Sequence, residues 1–197
     1  MKTLWPEIRA SLAAVLSLAV LLCGFYALTV WLLGQALFPA KANGSLVSRS
    51  GTVVGSSLIA REFVGPGYFR PRPSSAGEGY DGAASGGSNL GPLSKALFEA
   101  VSARVAVYRA ENGLPPGTLV PADAVTASAS GLDPHISVRN ARLQAPRVAR
   151  ARGLTEEAVL ERVAACAQGR DLGFLGEPRV NVLMLNLSLD GVFFDGR

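Results

Sequence analysis

Between Arg9 and Lys41 the chain carries no charged residue, and positions 12–33 are almost entirely apolar. At 1.5 Å of rise per residue, a helix over that run spans the roughly 30 Å hydrocarbon layer of a bilayer. The pattern therefore predicts a retained transmembrane helix at about 12–33, with Trp5 and Trp31 near its ends as interfacial aromatics. A cleaved secretory signal fits less well. Such signals have an apolar core of about 7–15 residues ending at a small-x-small site. Ala40-Lys41-Ala42 offers the site, but the run is too long and stops several residues short of it. The LLCG around Cys23 suggests a lipoprotein signal, yet Leu22 stands where a small residue belongs.

After residue 40 the pattern changes, which marks residues 1–40 as a membrane anchor and 41–197 as a soluble domain. Residues 41–50 read as a polar connection, and GTVVGSSLI (51–59), with β-branched residues between glycines, as a short strand. Residues 68–92 show neither helical nor strand periodicity. Their aromatic residues and two Arg-Pro pairs make them a functional loop rather than a linker. Leu97, Ala100, Val101, Val105 and Tyr108 share one face of a predicted helix over 93–112, stopped by Asn112-Gly113. From Ser137 come helical pieces interrupted at Pro146 and Gly153, the last capped by Thr155 with Glu156 and Glu157 in its first turn. Leu183, Leu185, Leu187 and Leu189 alternate within VNVLMLNLSLD (180–190), which predicts a closing strand. The fold class is α+β, one N-terminal transmembrane helix followed by a single mixed domain.

Charge and cysteine content narrow the picture only slightly. Sixteen arginines against three lysines give a net charge of +4, too mild to imply nucleic acid by itself. Lys2 and Arg9 before the helix are matched by Lys41 and Arg49 after it, so charge does not orient it. Cys23 lies in the apolar run and Cys166 is alone in the domain, which excludes an intramolecular disulfide framework.

The candidate chemistry centres on VTASASGLDPHIS (125–137), where Ser128, Ser130, Asp133 and the chain's only histidine, His135, share one loop. A Ser–His–Asp hydrolase draws these groups from separate segments and needs oxyanion donors. Here Asp133 is two residues from His135 and no G-x-S-x-G elbow exists. Asp133-Pro134 reads instead as a helix start, with the serines hydrogen-bonding loop backbone. One histidine and no cysteine cluster leave no zinc site. SGGSN (85–89) lacks the lysine of a phosphate loop, so Ser88 or Asn89 is expected to cap a turn before the 93–112 helix. RVARARGLTEEAVLERVAA (147–165) has the outline of a helix-turn-helix, and Arg139, Arg142, Arg147, Arg150 and Arg152 form a basic run with no acid between Asp133 and Glu156. A membrane-anchored DNA-binding protein is thus the alternative reading. The arginines, however, fall on the first helix and the second is acidic at its start, so a solvated or protein-facing surface is expected.

YFRPRPSS (68–75), SGGSNLGP (85–92), VPADAVTASASGLDPHIS (120–137), QAPRVARARGL (144–154) and GEPRVNVLMLNLSLD (176–190) follow one N-terminal membrane helix. In that order they strongly resemble the C subunit of the bacterial high-affinity potassium-transporting ATPase, the Kdp complex. The resemblance covers almost the whole chain. Ala60-Arg61 stands where the family usually has Gly-Gln, and Tyr80 is followed by Asp81 rather than Asn. The resemblance implies an accessory, non-catalytic subunit of the inner membrane, its N-terminus cytoplasmic and its domain extracytoplasmic. A channel-like subunit that binds potassium and a P-type ATPase subunit that hydrolyses ATP are the implied partners, with no nucleic acid. ATP is expected to act through the complex, Gln144 and Arg147 being the candidate contacts in this chain. The 125–137 loop is then a rigid platform facing the channel-like partner. Ser17 and Gly24 are the small residues expected to pack the membrane helix.

Overall fold

The computed structural model describes residues 4–191, which divide between residues 46 and 47 into two compact units. In the first, α1 (Leu4–Ala19), a π-helical stretch (Val20–Tyr26) and α2 (Ala27–Leu37) form one helix of 34 residues, long and apolar enough to cross a membrane. It extends past the apolar 12–33 core at both ends. The π-stretch contains Gly24, and just beyond it Thr29 Oγ1 donates to the Phe25 carbonyl at 2.7 Å, a back-bond of the kind that accompanies local helix distortion. A single turn, α3 (Pro39–Ala42), follows with proline at its start.

The second unit opens on a hairpin of β1 (Leu46–Arg49) and β2 (Thr52–Ser56). Ser50 and Gly51 both take positive φ, as a two-residue type I′ turn requires. β2 is the strand expected at 51–59. Its partner lies in the segment that reads as a polar connection, because among the residues of β1 only Val47 is buried. α4 (Lys95–Asn112) starts on Ser94, whose side chain accepts from Leu97 N, and ends on left-handed Gly113. Ser88 and Asn89 are exposed and lie before this helix, whose own cap is the separate residue Ser94.

β3 (His135–Ser137), β5 (Arg179–Asn181) and β4 (Ala167–Gln168) form a three-stranded antiparallel sheet in the order β3-β5-β4. Ile136 faces Val180, and Ala167 faces Val180 from the other side. α5 (Val138–Arg152) and α6 (Glu156–Cys166) pack against this sheet. Phe69, Ile136, Val148, Val159, Val163, Val180 and Leu185 make the centre of the core. Thr155 caps α6 through Ala158 N, as expected.

Three local expectations are corrected. Asp133-Pro134 does not begin a helix. The Pro134 carbonyl accepts from Val182 N at 2.9 Å, which draws the next residues into β3, and the cap of α5 is Ser137, accepting from Asn140 N at 3.1 Å. Pro146 does not interrupt α5, which runs through it to Arg152. The lost backbone hydrogen bond is outweighed because Asn140, Ala141, Gln144, Ala145, Arg147, Val148 and Ala149 are all buried along that helix. The expected closing strand is only β5, and α7 (Val182–Leu189) is a helix. Asn181 Oδ1 accepts from Met184 N at 3.1 Å and starts the turn. A short run that is apolar on every side suits a fully buried helix as well as a strand. In the helix, Leu183 and Leu187 lie one turn apart and pack on Val47, while Val182 and Leu185 enter the main core.

Candidate functional site

Residues 57–94 contain no helix or strand, yet several side chains pin them to the domain. Phe69 is fully buried, and its backbone is held like a strand by a single amide. Phe69 N donates to Asn186 Oδ1 at 2.8 Å, and Asn186 Nδ2 donates to the Phe69 carbonyl at 2.9 Å. Gln144 does the same for Arg70, accepting from its N–H at 2.8 Å and donating to its carbonyl at 3.1 Å. Two amide side chains thus replace two rungs of a sheet that the loop does not form.

Arg147 completes this buried polar layer. Its guanidinium donates to Asn112 Oδ1 at 2.9 Å, to the Pro66 carbonyl at 2.6 Å, to the Tyr68 carbonyl at 3.0 Å and to Gln144 Oε1 at 2.9 Å. Burial draws its pKa below the ordinary arginine value, but the group stays charged, and four oxygens answer it. Asn140 links this layer to α4, where the Tyr108 hydroxyl donates to Asn140 Oδ1 at 2.8 Å. Burial pushes the Tyr108 phenol well up, which keeps that proton in place. Asp123 closes the layer by accepting from Ser137 N, Ser137 Oγ and Asn140 Nδ2. Among the described residues, no buried side-chain nitrogen or oxygen lacks a partner. Above these groups lies a cleft of about 370 Å³ between residues 62–73, α4 and α5, with the Arg70–Glu111 ion pair and Arg104 on its lining.

The 125–137 loop is built in the same way. Ser128 Oγ accepts from Asp133 N at 3.3 Å and Ser130 Oγ from Leu132 N at 3.1 Å. Both hydroxyls therefore hold backbone rather than address His135. Asp133 Oδ1 accepts from His135 N at 3.0 Å and lies 3.2 Å from His135 Nδ1, while Oδ2 takes Arg72 at 3.2 Å. Burial alone would raise the Asp133 carboxyl. The His135 hydrogen bonds and the charges of His135 and Arg72 overcome it and hold the pKa below the usual value.

The loop is locked to residues 74–86. Gly86 N and Ser85 Oγ donate to the Ser130 carbonyl at 2.9 and 3.0 Å, and Ser74 Oγ donates to the Gly131 carbonyl at 2.7 Å. Tyr80 OH donates to the Arg72 carbonyl at 2.8 Å, with its pKa pushed up to about 12 by burial. Gly131 sits at φ +69°, where an added Cβ would stand 2.5 Å from the Gly86 carbonyl oxygen and 2.8 Å from Ala76 N.

The structure thus brings Ser128, Ser130, Asp133 and His135 together, with Gly86-Gly87 against them, and places Gln144 and Arg147 in the separate buried layer. Sequence reading missed Arg72, Asp123, Asn140 and Asn186. The signal available for Asn140 and Asn186 was a polar residue on the apolar side of a helix, which implies a specific buried partner. The basic run is largely engaged within the chain. Arg139 donates to the Leu119 carbonyl. Arg147 is buried as described, and Arg150 Nε reaches the Pro146 carbonyl. Arg152 pairs with Asp190 at 2.9 Å and stacks 4.8 Å from the Tyr68 ring centroid.

The chain thus joins one helix long and apolar enough to cross a membrane to a domain whose buried polar side chains, among the described residues, are satisfied within the chain. The family model for the K+-transporting ATPase c chain, KdpC, matches residues 8–191, and the chain belongs to that family. It is 53% identical over 184 residues to the potassium-transporting ATPase KdpC subunit of Mycobacterium tuberculosis, covering 93% of this chain and 97% of that one. To the KdpC subunit of Nitratidesulfovibrio vulgaris it is 55% identical over 186 residues, 94% of each chain. To that of a Caulobacter species it is 53% identical over 188 residues, 95% of this chain and 94% of the relative.

Proposed function

We propose that this chain is the non-catalytic subunit that assembles and stabilises a potassium-transporting P-type ATPase. In this reading the helix Leu4–Leu37 anchors it in the inner membrane with the N-terminus in the cytoplasm. The domain then stands outside, beside a channel-like potassium-binding subunit and a P-type catalytic subunit. One observation carries the reading: Ser128, Ser130 and Asp133 hold the loop's own backbone, and Asp133 with the Ser130 and Gly131 carbonyls ties the loop to Arg72, Ser85 and Ser74, so these side chains do not form a nucleophile–base pair. A surface built to hold its shape suits a part that docks more than one that reacts. Gln144 and Arg147 serve the same end, since both are engaged with backbone and side chains of the domain. Any gain in the ATP affinity of the catalytic subunit is then transmitted through the assembly.

The test is co-expression of the pump subunits with and without this chain, followed by detergent purification and ATPase assay. The expected result is a complex that is recovered and active only with the chain present. Full recovery and potassium-stimulated activity without it would overturn the reading.

A further inference from the structure

The connection between β4 and β5 projects as a hairpin whose tip carries Leu172, Phe174 and Leu175, exposed to 83%, 69% and 49%. Its root is rigid. Val180 in β5 is fully buried and pairs across to Ala167, and the tip is closed by reciprocal bonds between Asp171 and Leu175, both 2.9 Å. Two ion pairs brace its sides, Arg170–Glu177 at 2.9 Å and Asp171–Arg179 at 3.1 Å.

The tip residue is the wrong one for its backbone. Leu172 and Gly173 both take positive φ, at 53° and 83°, and Phe174 N donates to the Asp171 carbonyl at 3.3 Å. That is a type I′ turn, whose first central position favours Asn, Asp or Gly. Folding therefore does not explain a leucine there, and at 83% exposure it has little packing of its own within the chain. Unfavourable backbone geometry kept at an exposed site points to a use outside the fold.

We infer that this hairpin is a preformed docking finger, and that Leu172 and Phe174 enter a neutral apolar pocket on another subunit of the potassium pump. The charges identify the occupant. A loop that seats on an anionic bilayer surface gains affinity from unpaired cations beside its apolar residues. Here both flanking arginines are matched by carboxylates, so the tip offers apolar side chains on an electrically balanced stem. Such a stem fits an uncharged protein pocket, where a few rigid apolar anchors carry most of the binding. The inference rests on the assembly reading above.

Leu172→Asn separates the two roles of the residue, because asparagine suits the turn and removes the apolar anchor. In the full-length chain purified in detergent, its melting temperature should equal or exceed that of the native chain. Recovery of the pump subunits with Leu172→Asn/Phe174→Ser should fall roughly tenfold. A photoreactive phenylalanine analogue in place of Phe174 should form an adduct with another pump subunit. Native-level recovery with both substitutions overturns the finger, and so does an adduct only to lipid or to a second copy of this chain. If the double substitution prevents folding, Leu172→Asn and the adduct decide alone. Failure of the native chain itself to bring down the pump subunits would instead overturn the assembly reading.

Discussion

At the scale of single residues, Asp133 does three things with one carboxylate: it fixes His135 N, sets the His135 ring and receives Arg72. Asparagine keeps one acceptor for the His135 N–H but loses the charge that Arg72 answers. Asp133→Asn should therefore cost about 1 kcal/mol and Asp133→Ala about 2 kcal/mol in urea denaturation. The pH dependence has a definite sign. The folded pKa lies below the ordinary value, so the aspartate's contribution is present above about pH 4 and disappears as pH falls through the folded pKa. The stability gap between the native chain and Asp133→Asn should close as pH falls below about 4. A gap that widened over that acidic range would contradict the pairing. Gly131 is the harsher position. Its left-handed φ and the nearness of the Gly86 carbonyl and Ala76 N predict that Gly131→Ala costs roughly 3 kcal/mol or more, measured by the same titration.

At the scale of elements, the helix boundaries at Gly113, Gly153 and Thr155 were legible in the sequence, whereas the caps Ser94, Ser137 and Asn181 and the polar interior were not. Gly113 and Thr155 terminate or start helices by local chemistry that acts within a few residues, and such chemistry reads directly from sequence. The Ser128–His135 cluster was legible for the same reason, being one short loop. α7 was misread because alternating leucines satisfy both periods in a run of eight. The amide layer was hidden for a different reason: Asn186 and Phe69 are 117 residues apart. Only the folded chain brings them together. Asn186→Ala strands the buried Phe69 N–H and carbonyl at once, which predicts a loss of about 2–4 kcal/mol in denaturant titration. Asn181→Ala, which removes the cap of α7 and the hydrogen bond to the Ser57 carbonyl, should cost about 2 kcal/mol.

At the scale of the whole molecule, the membrane helix and the domain are separate units, and they can be perturbed separately. A Cβ added at Gly24 meets nothing within 4 Å in the chain itself. Gly24→Leu should therefore leave domain melting unchanged and lower recovery of the complex, since helix association in lipid depends on close approach of small residues. Equal recovery would place the attachment entirely in the domain. The amide clamps have a consequence for how the chain is made. Phe69 and Arg70 wait for partners on Asn186 and Gln144, and the later of these lies in the final described helix. As the chain emerges from N- to C-terminus, Gln144 becomes available to Arg70 first, and the clamp on Phe69 cannot close until α7 has been synthesised. A chain cut short before Asn186 keeps its apolar helix but lacks the latch that holds Phe69.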